Sequence, residues 1–217
     1  LSNLHVLTKT SSPSVNHTGR GVPSCDFLMR TVMSMFMDTL PEVELNDLLT
    51  LIISSCVNIN QFNMRIISWN VNGLRAVHRK DALSPIWKMN PDIFFINETK
   101  AHPEQLPEEL QKPENYYAYF NSATSRNGYS GVALYSKVKP EMVVYDVKKI
   151  KDEEGRYIEA HYSNKLVVIG CYFPNGGGEP HRLKYKLTFY DQFLEHIENL
   201  RKGGHSIIFC GDVNVAH

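Results

Sequence analysis

The sequence predicts a layered α/β domain with more strands than helices. Three observations carry that prediction. From Met64 onward, short apolar and β-branched runs recur: "RIISWNVNG", "DIFFINETK", "GYSGVALYS", "KLVVIGCYFPNGGG" and "SIIFCGDVNVAH". Each opens with the length and composition of a buried strand. Helix-like patterns lie between them, and Pro/Asn breaks at "KMNPD" and "YFPNGG" supply turns.

Composition changes near residue 63, which divides the chain into residues 1–63 and 64–217. The first part opens with a Ser/Thr/Asn-rich stretch that offers little to bury. Two apolar patches follow, and "LNDLLTLIISSCV" reads as a short helix capped by Asn46, with Asp47 in its first turn. Three basic against five acidic residues give residues 1–63 the wrong bias for a transit peptide. The expectation is an appended or poorly ordered extension without chemistry, with Met64 as the natural start. "LLTLIISSCV" covers about half of the ~20 residues a membrane helix needs, so no membrane partner is expected.

In the second part, helices are expected over 79–89 and 181–201. The latter places Leu183, Leu187, Tyr190, Phe193, Leu194, Ile197 and Leu200 on one stripe, ended by Gly203-Gly204. A formal net charge of zero gives no global field for a polyanion, although a local basic rim can suffice. Cys25, Cys56, Cys171 and Cys210 show no CxxC spacing, which suits reduced cysteines in an intracellular protein. Cys171 and Cys210 fall inside apolar runs and are expected to behave as small hydrophobes.

Polar clusters close the strand runs. Asn70 and Asn72 end the first, Glu98 the second, Tyr172 and Asn175 the fourth, and Asp212 and Asn214 the fifth. Strand ends of α/β sheets converge on one edge, where ligand sites commonly lie. Carboxylate oxygens suit Mg²⁺, which takes one or two and keeps waters or phosphate oxygens. Asn amides and a Tyr hydroxyl donate to phosphate without adding negative charge. In an extended segment Asp212 and Asn214 share a face, as a water-activating base and a group that orients its substrate require. Residues alone therefore point to Mg²⁺-assisted chemistry on a phosphate ester, against a purely structural polar edge.

Taken in order, "SWNVNGLRA", "PDIFFINETK", "GYSGVALYSK", "EGRYIEAHY", "YFPNGG…RLKYK" and "CGDVNVAH" resemble the exonuclease III and apurinic/apyrimidinic endonuclease branch of the endonuclease/exonuclease/phosphatase superfamily. The resemblance runs from Met64 to His217. It implies a four-layer sandwich, two β-sheets face to face with helices outside. It makes Glu98 the Mg²⁺ ligand, with Mn²⁺ able to substitute, Asn72 near the ion and Lys100 supporting from behind. It makes Asp212 the base, Asn70 and Asn214 its positioners, and Tyr172 and Asn175 donors to the scissile phosphate. Arg75, Arg126, Tyr129, Arg156 and Arg182 match loop positions that grip DNA.

The implied function is a DNA repair nuclease, an abasic-site endonuclease and 3′–5′ exonuclease. Its partner would be double-stranded DNA with abasic or 3′-blocked sites. The setting would be monomeric and intracellular, in cytoplasm or nucleoid if bacterial. A phosphatase or phosphodiesterase on inositol phosphates or sphingomyelin is the alternative within the superfamily, and an inactive DNA-binding fragment is the alternative outside it. Two departures stand out: Asn97 where most relatives carry Gln, and Asn72 where some carry Asp. The family's C-terminal part, with a catalytic histidine and a further Asp, is not matched here, and none of His161, His181 or His217 matches that histidine. The chain as it stands is expected to be unstable and weakly active.

Overall fold

A computed structural model of the chain describes residues 4–7, 64–147, 152–177 and 180–214. Two sheets form the centre. In the first, β1 (Leu4–Leu7), β2 (Ile66–Asn70), β3 (Ile93–Asn97), β4 (Tyr117–Asn121) and β5 (Val132–Ser136) lie in the order β1-β2-β3-β5-β4. In the second, β6 (Met142–Val144), β7 (Tyr157–His161), β8 (Leu166–Tyr172) and β9 (Ser206–Asp212) lie in sequence order. The helices are α1 (Leu74–Arg79), α2 (Ser84–Lys88), α3 (Glu108–Gln111) and α4 (Pro180–Lys202).

Strand alternation explains the layering. One face of the first sheet presents Ile66, Ile93, Phe95, Val132 and Leu134 to Ile158, Ala160, Leu166, Val168, Ile208 and Cys210 of the second. The approach is close at Gly170, where a Cβ would lie 1.9 Å from the Phe95 ring. The opposite face of the first sheet packs Ile67, Trp69, Phe94, Ile96 and Tyr135 under α1 to α3. The outer face of the second packs Tyr157, Val167, Ile169 and Cys171 under Phe189, Tyr190, Phe193 and Ile197 of α4. Helix, sheet, sheet and helix make the four layers the resemblance implied.

Some elements differ from expectation. Of the helix expected over 79–89 only α2, Ser84–Lys88, forms: α1 ends at Arg79, Asp81 is left-handed at φ 53° and Pro85 occupies a first-turn position of α2. Proline supplies no N–H for a helix arriving from residue 81. In α4 the buried face is Phe189, Tyr190, Phe193 and Ile197, while Leu183 and Leu187 are 50% and 39% exposed. The apolar stripe is therefore real only from the helix's middle onward. Cys171 and Cys210 are free and buried, as expected. Leu4–Leu7, within the stretch expected to bury little, pairs antiparallel with β2. The Asn46-capped helix, Cys25, Cys56 and His217 lie outside the described residues. Among the described residues no helix is long and apolar enough to cross a membrane.

Two parallel pairings position the site. β2 runs beside β3 with Asn70 opposite Asn97, and β8 beside β9 with Tyr172 opposite Asp212. The four strands finish together at one edge of the sandwich.

Candidate active site

At that edge a chain of hydrogen bonds crosses from one sheet to the other. Asn70, ending β2, donates from Nδ2 to Glu98 Oε1 and to Asp212 Oδ2, both at 2.8 Å. Tyr172, ending β8, donates its hydroxyl to the same Glu98 Oε1 at 2.8 Å. Lys100 Nζ lies 2.9 Å from Glu98 Oε2 and also donates to Asn72 Oδ1. Asn214 closes the turn after β9, its N–H on Asp212 Oδ1 at 2.9 Å and its amide on the Phe173 carbonyl at 2.8 Å. Seven of the expected residues are thus brought together: Asn70, Asn72, Glu98, Lys100, Tyr172, Asp212 and Asn214.

The backbone here is unusual. Asn72, Glu98, Lys100 and Asn214 all have φ between 49° and 56°. Asparagine tolerates that region, but Glu and Lys adopt it at a cost of order 1–3 kcal/mol each. Neighbouring bonds impose it: Gly73 N–H on Glu98 O at 2.8 Å, Thr99 N–H on Gly131 O at 3.0 Å and Lys100 N–H on Ser130 O at 2.9 Å. Such strain concentrates where side-chain aim matters more than local stability.

Electrostatics follow from the same contacts. Burial works to raise the Glu98 pKa, but hydrogen bonds from Asn70, Lys100 and Tyr172 and the Lys100 charge outweigh it and hold the carboxyl below its usual range. The carboxylate is therefore ionised near neutrality. Burial, then the Glu98 charge and hydrogen bond, push the Tyr172 phenol up to about 12. Tyr172 stays protonated and able to donate.

The oxygen donors fit a hard divalent cation. Lys100 places an ammonium group between Glu98 Oε2 and Asn72 Oδ1, so these two oxygens already share a positive charge. Among the described residues no group of three or more His, Cys, Asp or Glu is arranged to hold an ion. A single carboxylate beside an amide oxygen suits a cation that keeps waters and takes substrate oxygens.

The other expected residues make no hydrogen bond to the Glu98 or Asp212 carboxylate. Asn175 is exposed, with Oδ1 accepting from Gly177 N at 2.8 Å, a local turn that points its acceptor back at its own backbone. Arg75 is exposed beside the cluster, Nη2 at 3.5 Å from the Lys100 carbonyl. Arg126 is exposed over the Tyr129 ring at 5.7 Å, and Arg182 Nη2 donates to the Tyr129 hydroxyl at 3.4 Å. Arg156 is a correction. Expected as a surface grip on DNA, it is 1% exposed, its guanidinium enclosed by protein acceptors. Loop position alone gives no information about burial.

Sequence reasoning missed two clamps on the β9 exit. Lys186 donates to Asn214 O at 2.8 Å and Tyr190 donates to Val213 O, both from α4. The "RLKYKLTFY" stretch carried the hint, since Lys186 and Tyr190 stand one helical turn apart on one face.

Comparison with known proteins decides the family. Residues 67–217 match the model of the Endonuclease/Exonuclease/phosphatase family. The chain belongs to that family. Within it, an exodeoxyribonuclease of Bacillus subtilis is 41% identical over 156 residues, 71% of this chain and 60% of that protein. The DNA repair nuclease APEX1 of Danio rerio is 38% identical over 159 residues, 71% of this chain and 50% of that protein. Recombination repair protein 1 of Drosophila melanogaster is 39% identical over 158 residues, 72% of this chain and 23% of that protein. The solved structure of a 3′ phosphatase from Neisseria, bound to a product DNA hairpin, is similar with a TM-score of 0.60 and 25% identity. That likeness covers 70% of this chain and 58% of the Neisseria chain. The chain thus spans three-fifths or less of the length of these curated relatives.

Proposed function

We propose that this family member is a Mg²⁺-dependent DNA repair nuclease. It would hydrolyse phosphodiester bonds 5′ to abasic sites in duplex DNA and trim 3′ ends. The observation that carries the reading is the Asp212–Asn70–Glu98–Tyr172 hydrogen-bond chain, which joins the strand ends of both sheets through 2.8 Å contacts. The names of the nuclease relatives support DNA as the substrate.

Each residue has a role that its geometry supports. Asp212 accepts a proton from the attacking water, with Asn70 fixing one carboxylate oxygen and the Asn214 N–H the other. As water adds to phosphorus, the P–O3′ bond breaks and the leaving 3′ oxygen takes a proton from solvent, giving a 3′-hydroxyl and a 5′-phosphate. Tyr172, kept protonated, would turn its single O–H from Glu98 Oε1 to a non-bridging oxygen as negative charge accumulates there. Glu98, with Asn72 beside it, would hold Mg²⁺, which supplies neutralisation of the phosphate charge when bound. Arg75, Arg126, Tyr129 and Arg182 would contact flanking phosphates, making affinity fall with salt. Asn175, in its exposed turn, would donate to the scissile phosphate only once substrate is bound.

The test is cleavage of an abasic-site duplex by the full-length protein, with and without EDTA, beside inositol phosphates and sphingomyelin. Metal-dependent duplex incision is expected. Hydrolysis of the lipid phosphates with the duplex left intact would overturn the reading. A duplex with a 3′-phosphoryl end belongs in the same assay, because the Neisseria neighbour is a 3′ phosphatase.

A further inference from the structure

Arg156 is almost fully enclosed, yet its guanidinium lies against the face of the Tyr172 ring. The guanidinium carbon is 4.6 Å from the ring centroid. Nη1 donates to the Tyr172 and Phe173 carbonyls at 3.1 and 3.3 Å, and the Tyr172 N–H returns a bond to the Arg156 carbonyl at 2.8 Å. Nε and Nη2 reach Glu154 Oε2 at 2.7 and 2.5 Å, and Nη2 also donates to the Tyr129 hydroxyl at 3.4 Å. A guanidinium has five N–H donors, and these contacts account for all of them. None is left for a DNA phosphate.

We propose that Arg156, with Glu154 as its counter-ion, is a positioning residue that sets the Tyr172 phenol against Glu98. It therefore acts on the chemical step through Tyr172 and contributes nothing directly to DNA binding. This rests on the nuclease reading, since Tyr172 must matter to the reaction. Glu154 also receives Arg182 Nη1 at 2.8 Å, so the same carboxylate ties the start of α4 to the phenol's support. A buried guanidinium is costly unless paired and fully bonded, and a ring-stacked site that takes up all five of its donors is one that Lys cannot reproduce. General support of the β7–β8 pair would need neither the stacking over Tyr172 nor the two adjacent carbonyl contacts.

The test uses R156K and E154Q in the full-length protein, each also combined with Y172F, with circular dichroism confirming the fold. Single-turnover cleavage of the abasic duplex by R156K should fall about tenfold with KM within about twofold, and R156K should cost little more once Tyr172 is Phe. An equal loss in both backgrounds, or a raised KM with unchanged kcat, would overturn the proposal. E154Q removes only charge from a side chain nearer the surface, and its cycle with Y172F decides the same question if R156K fails to fold. A substrate-free readout separates this inference from the nuclease reading: the ¹³Cζ resonance of Tyr172, assigned with Y172F, should move in R156K and E154Q. An unmoved resonance would sink the positioning role even if the wild-type enzyme cleaves DNA. A moved one would sustain the placement of the Tyr172 phenol by Arg156 even if the duplex is not the substrate, while the cycle with Y172F decides its effect on the chemical step.

Discussion

Two carboxylates in this molecule have the same local physics and opposite uses. Glu98 accepts from Asn70, Tyr172 and Lys100, and Glu159 accepts from Tyr157 and meets His161 and His196 at 2.5 and 2.6 Å. Burial opposes ionisation of each, and hydrogen bonds with nearby positive groups reverse it, so both sit below the usual carboxylate range. Position separates them. Glu98 follows β3 at the edge where strands of both sheets end, with 17% of its side chain still exposed. Glu159 lies in the middle of β7, 2% exposed, under His196 of α4. A satisfied carboxylate sealed beneath a helix is a fastener. The same group left accessible beside Asp212 and a protonated phenol can meet a substrate. Backbone strain marks the difference as well, with φ 56° at Glu98 and ordinary strand geometry at Glu159.

The comparison breaks most readily by exchange of effects. E98Q should lower duplex cleavage by about 10²–10³-fold, the size of effect seen when a charge-stabilising group is lost, because Gln would hold the cation that neutralises the phosphate less well. Its melting temperature should stay within a few degrees of wild type, because the amide keeps the Asn70 neighbourhood filled. A large stability loss with cleavage retained would make Glu98 another fastener. E159A should do the opposite. Leaving the Tyr157 hydroxyl and two imidazoles without their acceptor should cost about 3 kcal/mol in denaturant unfolding, with turnover per folded molecule unchanged. F193A, which removes a ring 1% exposed from beneath α4, should cost about 3–5 kcal/mol and likewise spare the site. Smaller is the pH effect. Because the folded Glu159 pKa lies below its ordinary value of 4.5, its stabilisation is present above that value and is lost as pH falls through the folded one. Denaturant midpoints should therefore drop below about pH 4.5 in wild type and drop less steeply in E159Q. An identical slope in E159Q would remove Glu159 from the acid response.

Much of the site was legible because its residues obey the strand period. Asn70, Glu98, Tyr172 and Asp212 each terminate an apolar run, and parallel pairing of β2 with β3 and β8 with β9 brings such termini to one edge. Both faces of these strands are covered, which is why the runs read as continuous apolar text. What escaped is tertiary. Arg156 looks in the sequence like any loop arginine, and only the fold shows that Glu154, Tyr172 and Phe173 enclose it. The Glu159 cluster had a faint trace, since Tyr157, Glu159 and His161 alternate on one strand face, but His196 arrives from α4. Leu183 and Leu187 failed as core residues because a helical stripe gives a face and not the length over which a sheet covers it.

The most direct measurement is the single-turnover rate of D212N in the full-length protein on an abasic-site duplex with Mg²⁺. Asn keeps the shape and the bond to Asn214 N–H but cannot take the proton from water. If the inter-sheet cluster is the hydrolytic centre, the rate should fall by about 10²–10⁴-fold, the range of a lost general base, with duplex binding nearly unchanged. A rate within about twofold of wild type would contradict it.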